Sequence, residues 1–182
     1  PHLVVIALHC SLALSLSQSN SQPFLEAWLA LPIVLHPSFL GFYLLVVVSP
    51  SSPIGAFFDG EVGINLVFNV KGLEVASCLY SLPFMVQPLQ SGFESLNKNI
   101  LEASYIAGKS KLQTVLKVAL PTMKPAVLTA IIITFAHTVG EFGVVLMIGG
   151  SITNETKVAS VALYEKVEMM DYQGAHIYTS VM

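Results

Sequence analysis

The chain has 182 residues, 54% hydrophobic and only 10% charged, with a net charge of -3. A soluble globular domain carries roughly a quarter charged residues, so the composition excludes that class, and the mean hydropathy of +0.72 points to helices in lipid. Cys10 and Cys78 both lie in apolar runs without ligand spacing, and they read as buried small residues rather than a disulfide or a metal pair.

Residues 1–16 are apolar but shorter than the roughly 20 residues that span a bilayer. They begin at Pro1 without a basic start or a clear cleavage site, so a span lacking its beginning is expected ahead of a signal peptide. Residues 17–23, SQSNSQP, form a polar break. A second apolar run, 24–48, is interrupted by Pro32 and Pro37. Each proline removes a backbone donor, and a kinked or broken helix is expected there. His36 reads as a packed or interfacial histidine rather than a ligand.

Residues 49–70 hold Pro50, Pro53, Gly55, Gly60 and Gly63, with Asp59 and Glu61 and no lysine. They predict a turn-rich loop on the outer face. Lys71 and Glu74 open a third run, 72–93, which Pro83 and Pro88 are expected to break.

Residues 97–125 are the one basic island: Lys98, Lys109, Lys111, Lys117 and Lys124 lie in it, out of eight lysines and no arginine. A basic loop between apolar spans predicts the cytoplasmic side. Ala103 and Ala107 are four apart, as are Ser104 and Gly108, which on a helix leaves one face nearly bare and open to another backbone. Leu112, Val115, Leu116 and Ala119 follow the spacing of an amphipathic surface helix. Leu120-Pro121 predicts a new helix, because proline suits a first turn. The plain alternative is an ordinary loop with two short helical turns.

The fourth run, 123–150, is long enough to span and carries Glu141 near its far end. Counted from Pro125 at 1.5 Å per residue, Glu141 lies about 24 Å along the helix, near the outer interface. An ionisable group in a span is a functional candidate, but Glu141 could equally cap the Gly-broken helix or pair with His137, four residues earlier. A short polar turn, 151–157, leads to residues 158–171, whose alternating charges predict a surface helix outside the membrane. A final span is expected to begin at 172 and to be cut short at Met182, as in a piece of a longer chain. No phosphate-cradling Gly-rich loop, HExxH pair or CxxC is present. Without a P-loop the chain is expected to be no enzyme, and no metal site or nucleic-acid partner is expected.

Glu102-Ala103-Ser104, then Gly108, then Leu120-Pro121, resembles the EAA loop of ABC importer permeases, with Ser104 in place of a second alanine. Leu31-Pro32 with Gly41-Phe42-Tyr43-Leu44-Leu45, Ser81-Leu82-Pro83 through Gln87-Pro88-Leu89, and Phe135 through Gly143 resemble the molybdate branch of that family. The resemblance covers nearly the whole chain. It implies an all-α integral membrane protein with the type I importer fold, about five spans with the first and last incomplete, kinked helices and a cytoplasmic coupling helix. Residues 1–182 would then be one transmembrane domain with the coupling loop at 97–125. Glu102, Ala103, Ser104, Gly108, Leu120 and Pro121 would contact a cytoplasmic ABC ATPase, which would bind ATP-Mg, while this chain binds no cofactor. A homodimer in the bacterial-type inner membrane is implied, with an extracytoplasmic oxyanion-binding protein above it. Alternating access would move the ion, whether molybdate or another oxyanion such as tungstate or sulfate. The different-class alternative is a membrane anchor that transports nothing.

An oxyanion needs donors and positive dipole ends, which broken helices supply. The path or gate candidates are therefore Pro37, Ser38, Ser81, Thr134, Thr138 and Glu141. Hydroxyls in such helices often bond only their own turn. A carboxylate is a poor ligand for a dianion, so Glu141 is expected to be structural or gating rather than binding.

Overall fold

The computed structural model describes residues 22–61 and 63–182, and every regular element among them is helical. The expectations placed on residues 1–16, on Cys10 and on most of the 17–23 break lie outside the described residues. In chain order the helices are α1 Gln22–Val34, α2 Pro37–Val48, α3 Pro53–Gly60, α4 Val70–Glu94, α5 Lys98–Ile106 and α6 Lys111–Thr114. A π-helical turn, Val115–Ala119, leads to α7 Leu120–Thr122, α8 Lys124–Gly140, α9 Gly143–Gly149, α10 Ala159–Glu168 and α11 Tyr172–Val181. No single described helix is long and apolar enough to cross a membrane. Two bent pairs pass by length and composition: Ala27–Val34 with Pro37–Val48, bent by 114°, and Lys111–Thr122 with Lys124–Gly140, bent by 80°.

The contacts group the chain into two compact units. One comprises residues 22–30 with Leu82–Phe135, the other Leu31–Ser81 with Ala136–Met182.

In the first unit the core is Met85, Val86, Leu89 and Phe93 of α4 with Ala119, Met123 and Ala130. Gly92 makes the closest approach: a Cβ there would stand 2.6 Å from Met123 Cε and 2.7 Å from Ala126 Cβ, so any side chain would push α8 away. The π-turn precedes Pro121. Leu120 N–H reaches back five residues to the Val115 carbonyl, and this widened turn gives room beside a ring that would crowd an α-helical carbonyl. The chain stays helical through Leu120-Pro121, and the restart expected there comes after Met123, where α8 begins at Lys124 with a bend of 80°.

In the second unit Ala76, Tyr80, Val144 and Ile148 form the core, with Leu40 and Leu44 packed against it. Gly41 lets α2 approach α9, since its Cβ would stand 3.0 Å from Val144 Cα. The chain bends between α1 and α2 at Leu35-His36. His36, held extended at ψ 134° ahead of Pro37, has the conformation a following proline favours.

Three expectations fail. Pro83 and Pro88 do not break α4, which runs through both. Pro83 is fully buried, and packing there offsets the lost hydrogen bond. Residues 49–70 are not all loop. Ser52 caps α3 by accepting from Gly55 N–H at 2.9 Å and Pro53 opens its first turn, a start signal that was present in the sequence. The 97–125 island also differs. Leu112 and Leu116 are 67% and 54% exposed, whereas Ala119 is 1% exposed and Val115 packs against the core, so the expected stripe is split between outside and inside. Thr114, expected on the polar side, is 1% exposed.

Candidate functional site

Two constellations hold the sequence-predicted residues, one in each unit. The first surrounds α5. Asn97 caps its start by accepting from Asn99 N–H at 2.9 Å. At its end Gly108 N–H donates to the Tyr105 carbonyl at 2.9 Å and Lys109 N–H to the Ser104 carbonyl at 3.2 Å, with Gly108 at φ +78°. That is a Schellman closure, in which only glycine is unstrained. Ala107 and Gly108 therefore lie beyond the helix, and the bare face expected from the Ala103/Ala107 and Ser104/Gly108 pairs is not a continuous helical face. Glu102, Ala103, Gly108 and Pro121 are exposed, Leu120 is half-buried, and Ser104 is buried. Ser104 Oγ and Thr114 Oγ1 share a hydrogen bond of 2.9 Å. This neutral pair ties α5 to α6, whose start Ser110 and Gln113 close with a reciprocal capping box.

The second constellation lies at the interruption between α8 and α9. Glu141 is 8% exposed, and its Oε1 accepts from Val144 N–H at 2.8 Å. The carboxylate thus caps α9, where the helix dipole favours negative charge, and the capping role foreseen for Glu141 is the observed one. Its backbone carbonyl accepts from Ser160 Oγ of α10 at 2.6 Å, and the Tyr80 side chain hydrogen-bonds to its carboxylate. Tyr80 also lies against His137, ring centroids 4.7 Å apart. Ser81 Oγ and Thr138 Oγ1 are 2.9 Å apart. Pro37 and Ser38 enter through Gly143, whose Cβ would stand 3.0 Å from Pro37 Cβ and 3.3 Å from Ser38 N. Five of the six path candidates thus belong to the second unit, and the sixth, Thr134, is a buried residue of the first. An anion at the start of α9 would compete with Glu141, which already occupies a donor there.

Sequence reading missed Thr114, Tyr80 and Ser160. Spacing groups Thr114 with Lys111, Gln113 and Lys117, away from the apolar stripe, yet it is buried. Tyr80 and Ser160 carried no signal, because their partner is far away in sequence.

Outside these sites, α10 and α11 carry ion pairs. Lys157 and Ser151 hydrogen-bond Glu165 and hold its carboxyl below the usual range. Lys166 Nζ lies 2.7 Å from Asp171 Oδ2 and lowers that carboxyl, aided by Gly174 N–H; the same pairing raises Lys166.

Residues 15–175 match the family described as the binding-protein-dependent transport system inner membrane component. The chain is 43% identical over 174 residues to the molybdenum transport system permease protein ModB of Azotobacter vinelandii, covering 96% of this chain and 77% of that protein. It is 35% identical to a probable sulfate transport system permease protein cysT of Chlorella vulgaris, covering 87% of this chain and 59% of the relative. The sulfate transport system permease protein CysT of Salmonella typhimurium is 31% identical, over 87% of this chain and 57% of that protein. The chain therefore spans under two thirds of the length of those two sulfate relatives. By the family match and this identity, the chain belongs to the inner-membrane permease components of ABC transport systems.

Proposed function

We propose that this chain is the transmembrane subunit of an ATP-driven molybdate importer. The observation that carries the reading is the 43% identity to a molybdenum permease over 96% of the chain, against 35% and 31% to sulfate permeases. A separate ATPase subunit binds ATP-Mg and supplies the work, because the sequence has no P-loop. The chain acts as a homodimer in the inner membrane, with about five spans and the 97–125 loop on the cytoplasmic side. An extracytoplasmic binding protein delivers the ion. In this reading Glu102, Ala103, Ser104 and Gly108 form the coupling contact with Leu120-Pro121 behind them. The exposed α5 with its rigid Gly108 closure supports that role. Motor closure moves the loop, and the kinked helices alternate between inward-open and outward-open states.

The second reading is a sulfate permease, favoured by the 31–35% identities to cysT proteins. The test is ATP-dependent uptake of radiolabelled molybdate into vesicles holding the full-length permease and its ATPase, with tungstate and sulfate as competitors. Molybdate uptake resistant to excess sulfate is expected. Sulfate uptake without molybdate uptake keeps the permease and overturns the ion. No uptake of either overturns the transport reading.

A further inference from the structure

The outward turn of the α6–π segment needs an occupant. Leu112 and Leu116 are four apart and are 67% and 54% exposed. Their neighbours Thr114 and Ala119 are each 1% exposed, so the inner side of the segment is already filled. Lys111 and Lys117 flank the two leucines and are both exposed. Between Ala103 and Gly140 the sequence has no acidic residue. A strip of two apolar teeth between cations that form no ion pair among the described residues matches an anionic lipid headgroup over an acyl chain. The family places the chain in the inner membrane, where such lipids are at hand.

We infer that the α6–π segment is a lipid-docking helix for anionic headgroups. Leu112 and Leu116 enter the acyl boundary, and Lys111 and Lys117 hold the phosphate layer. The inference is independent of which ion is carried. The segment is bonded to α5 through Ser104 and Thr114, so lipid charge also positions the exposed α5 loop.

The experiment uses the full-length permease assembled with its ATPase in nanodiscs. A bimane probe is attached at Leu116→Cys, with Cys10 and Cys78 replaced by serine. Quenching by brominated phosphatidylglycerol is compared with quenching by brominated phosphatidylcholine. Two lysines near a headgroup layer should favour the anionic lipid roughly thirtyfold. Lys111→Gln with Lys117→Gln should bring the two lipids close to parity, and the double arginine variant should restore the preference. Equal quenching by both lipids in the probe-bearing protein with native lysines overturns the inference, and that comparison does not depend on the variants folding. Protection of the probe in detergent that appears only when the ATPase is added also overturns it, by making the face a subunit contact. Protection that follows permease dimerisation in detergent overturns it in favour of a second copy of this chain.

Discussion

Gly108 ends α5 in open space at φ +78°, with nothing within 4 Å of where a Cβ would stand. Gly143 starts α9 without left-handed backbone, but its Cβ would stand 3.0 Å from Pro37 Cβ. One glycine serves the backbone and the other serves packing. The polar groups beside them divide in the same way. The α5 loop is tied by a neutral hydroxyl pair, Ser104 and Thr114, whereas the α8–α9 interruption is held by a buried carboxylate on a helix start. A neutral pair is cheap to bury. A charge survives burial only where donors meet it. The α8–α9 interruption is therefore the stiffer and the more vulnerable of the two.

The largest expected effect follows from that charge. Glu141→Ala leaves Val144 N–H without its acceptor and removes the Tyr80 partner, and should cost about 3 kcal/mol in detergent unfolding. Glu141→Gln keeps an acceptor oxygen and should cost about 1 kcal/mol. Equal losses for both variants would show that the carboxylate's charge, not its acceptor oxygen alone, holds the interruption.

The glycines sharpen the contrast at the next level. Gly143→Ala forces contact with Pro37 and Ser38 and should lower stability by about 1–3 kcal/mol through overpacking. Gly108→Ala should cost about 1 kcal/mol from backbone strain alone, and Gly108→Asn less, because asparagine tolerates the left-handed region. Thermal unfolding of the three variants checks this. If Gly108→Asn were as damaging as Gly143→Ala, Gly108 would be crowded by something the isolated chain does not contain.

The sequence showed interruptions well wherever a local rule decides them. Pro37 set its predecessor extended, and the Gly140–Gly143 stretch separated α8 from α9. It misled where packing outvoted the rule, as at Pro83 and Pro88 inside α4. Periodicity found the Leu112–Leu116 stripe but could not say what it faces, since lipid and a protein core reward the same residues. The Glu141 cap was legible because Val144 is three residues away. Tyr80 and Ser160 were not, because long-range partners leave no local pattern. The coupling contacts assigned to Glu102 and Ala103 still rest on family resemblance, as both side chains are exposed.

A smaller effect tests the neutral pair. Ser104→Ala strands a buried Thr114 hydroxyl and should cost about 1 kcal/mol. Adding Thr114→Val removes the stranded group, so the double variant should recover most of that loss. A double variant worse than the sum of the two singles would mean that the hydroxyls serve packing rather than each other. Hydrogen exchange at Gln113 and Thr114 would show whether α6 loosens from α5.

The smallest effect belongs to the ion pairs of α10 and α11, which are on the surface and screened by salt. Glu165 and Asp171 are lowered, first by Lys157 and by Lys166 respectively. A carboxyl lowered by folding contributes stability above its unfolded value, and that contribution is lost as pH falls through the folded one. Lys166 is raised, so its share is present below its unfolded value and lost as pH rises through the folded one. The Lys157–Glu165 pair therefore weakens at the acid end, and the Lys166–Asp171 pair at both the acid and the alkaline ends. Unfolding of the native chain and of Glu165→Gln, followed from pH 7 down through the carboxylate range, should converge as Glu165 protonates. A gap that persists in acid would assign Glu165 a packing role instead. High salt should narrow the gap at pH 7 but leave the Glu141 difference intact, because a buried cap is not screened as an exposed pair is.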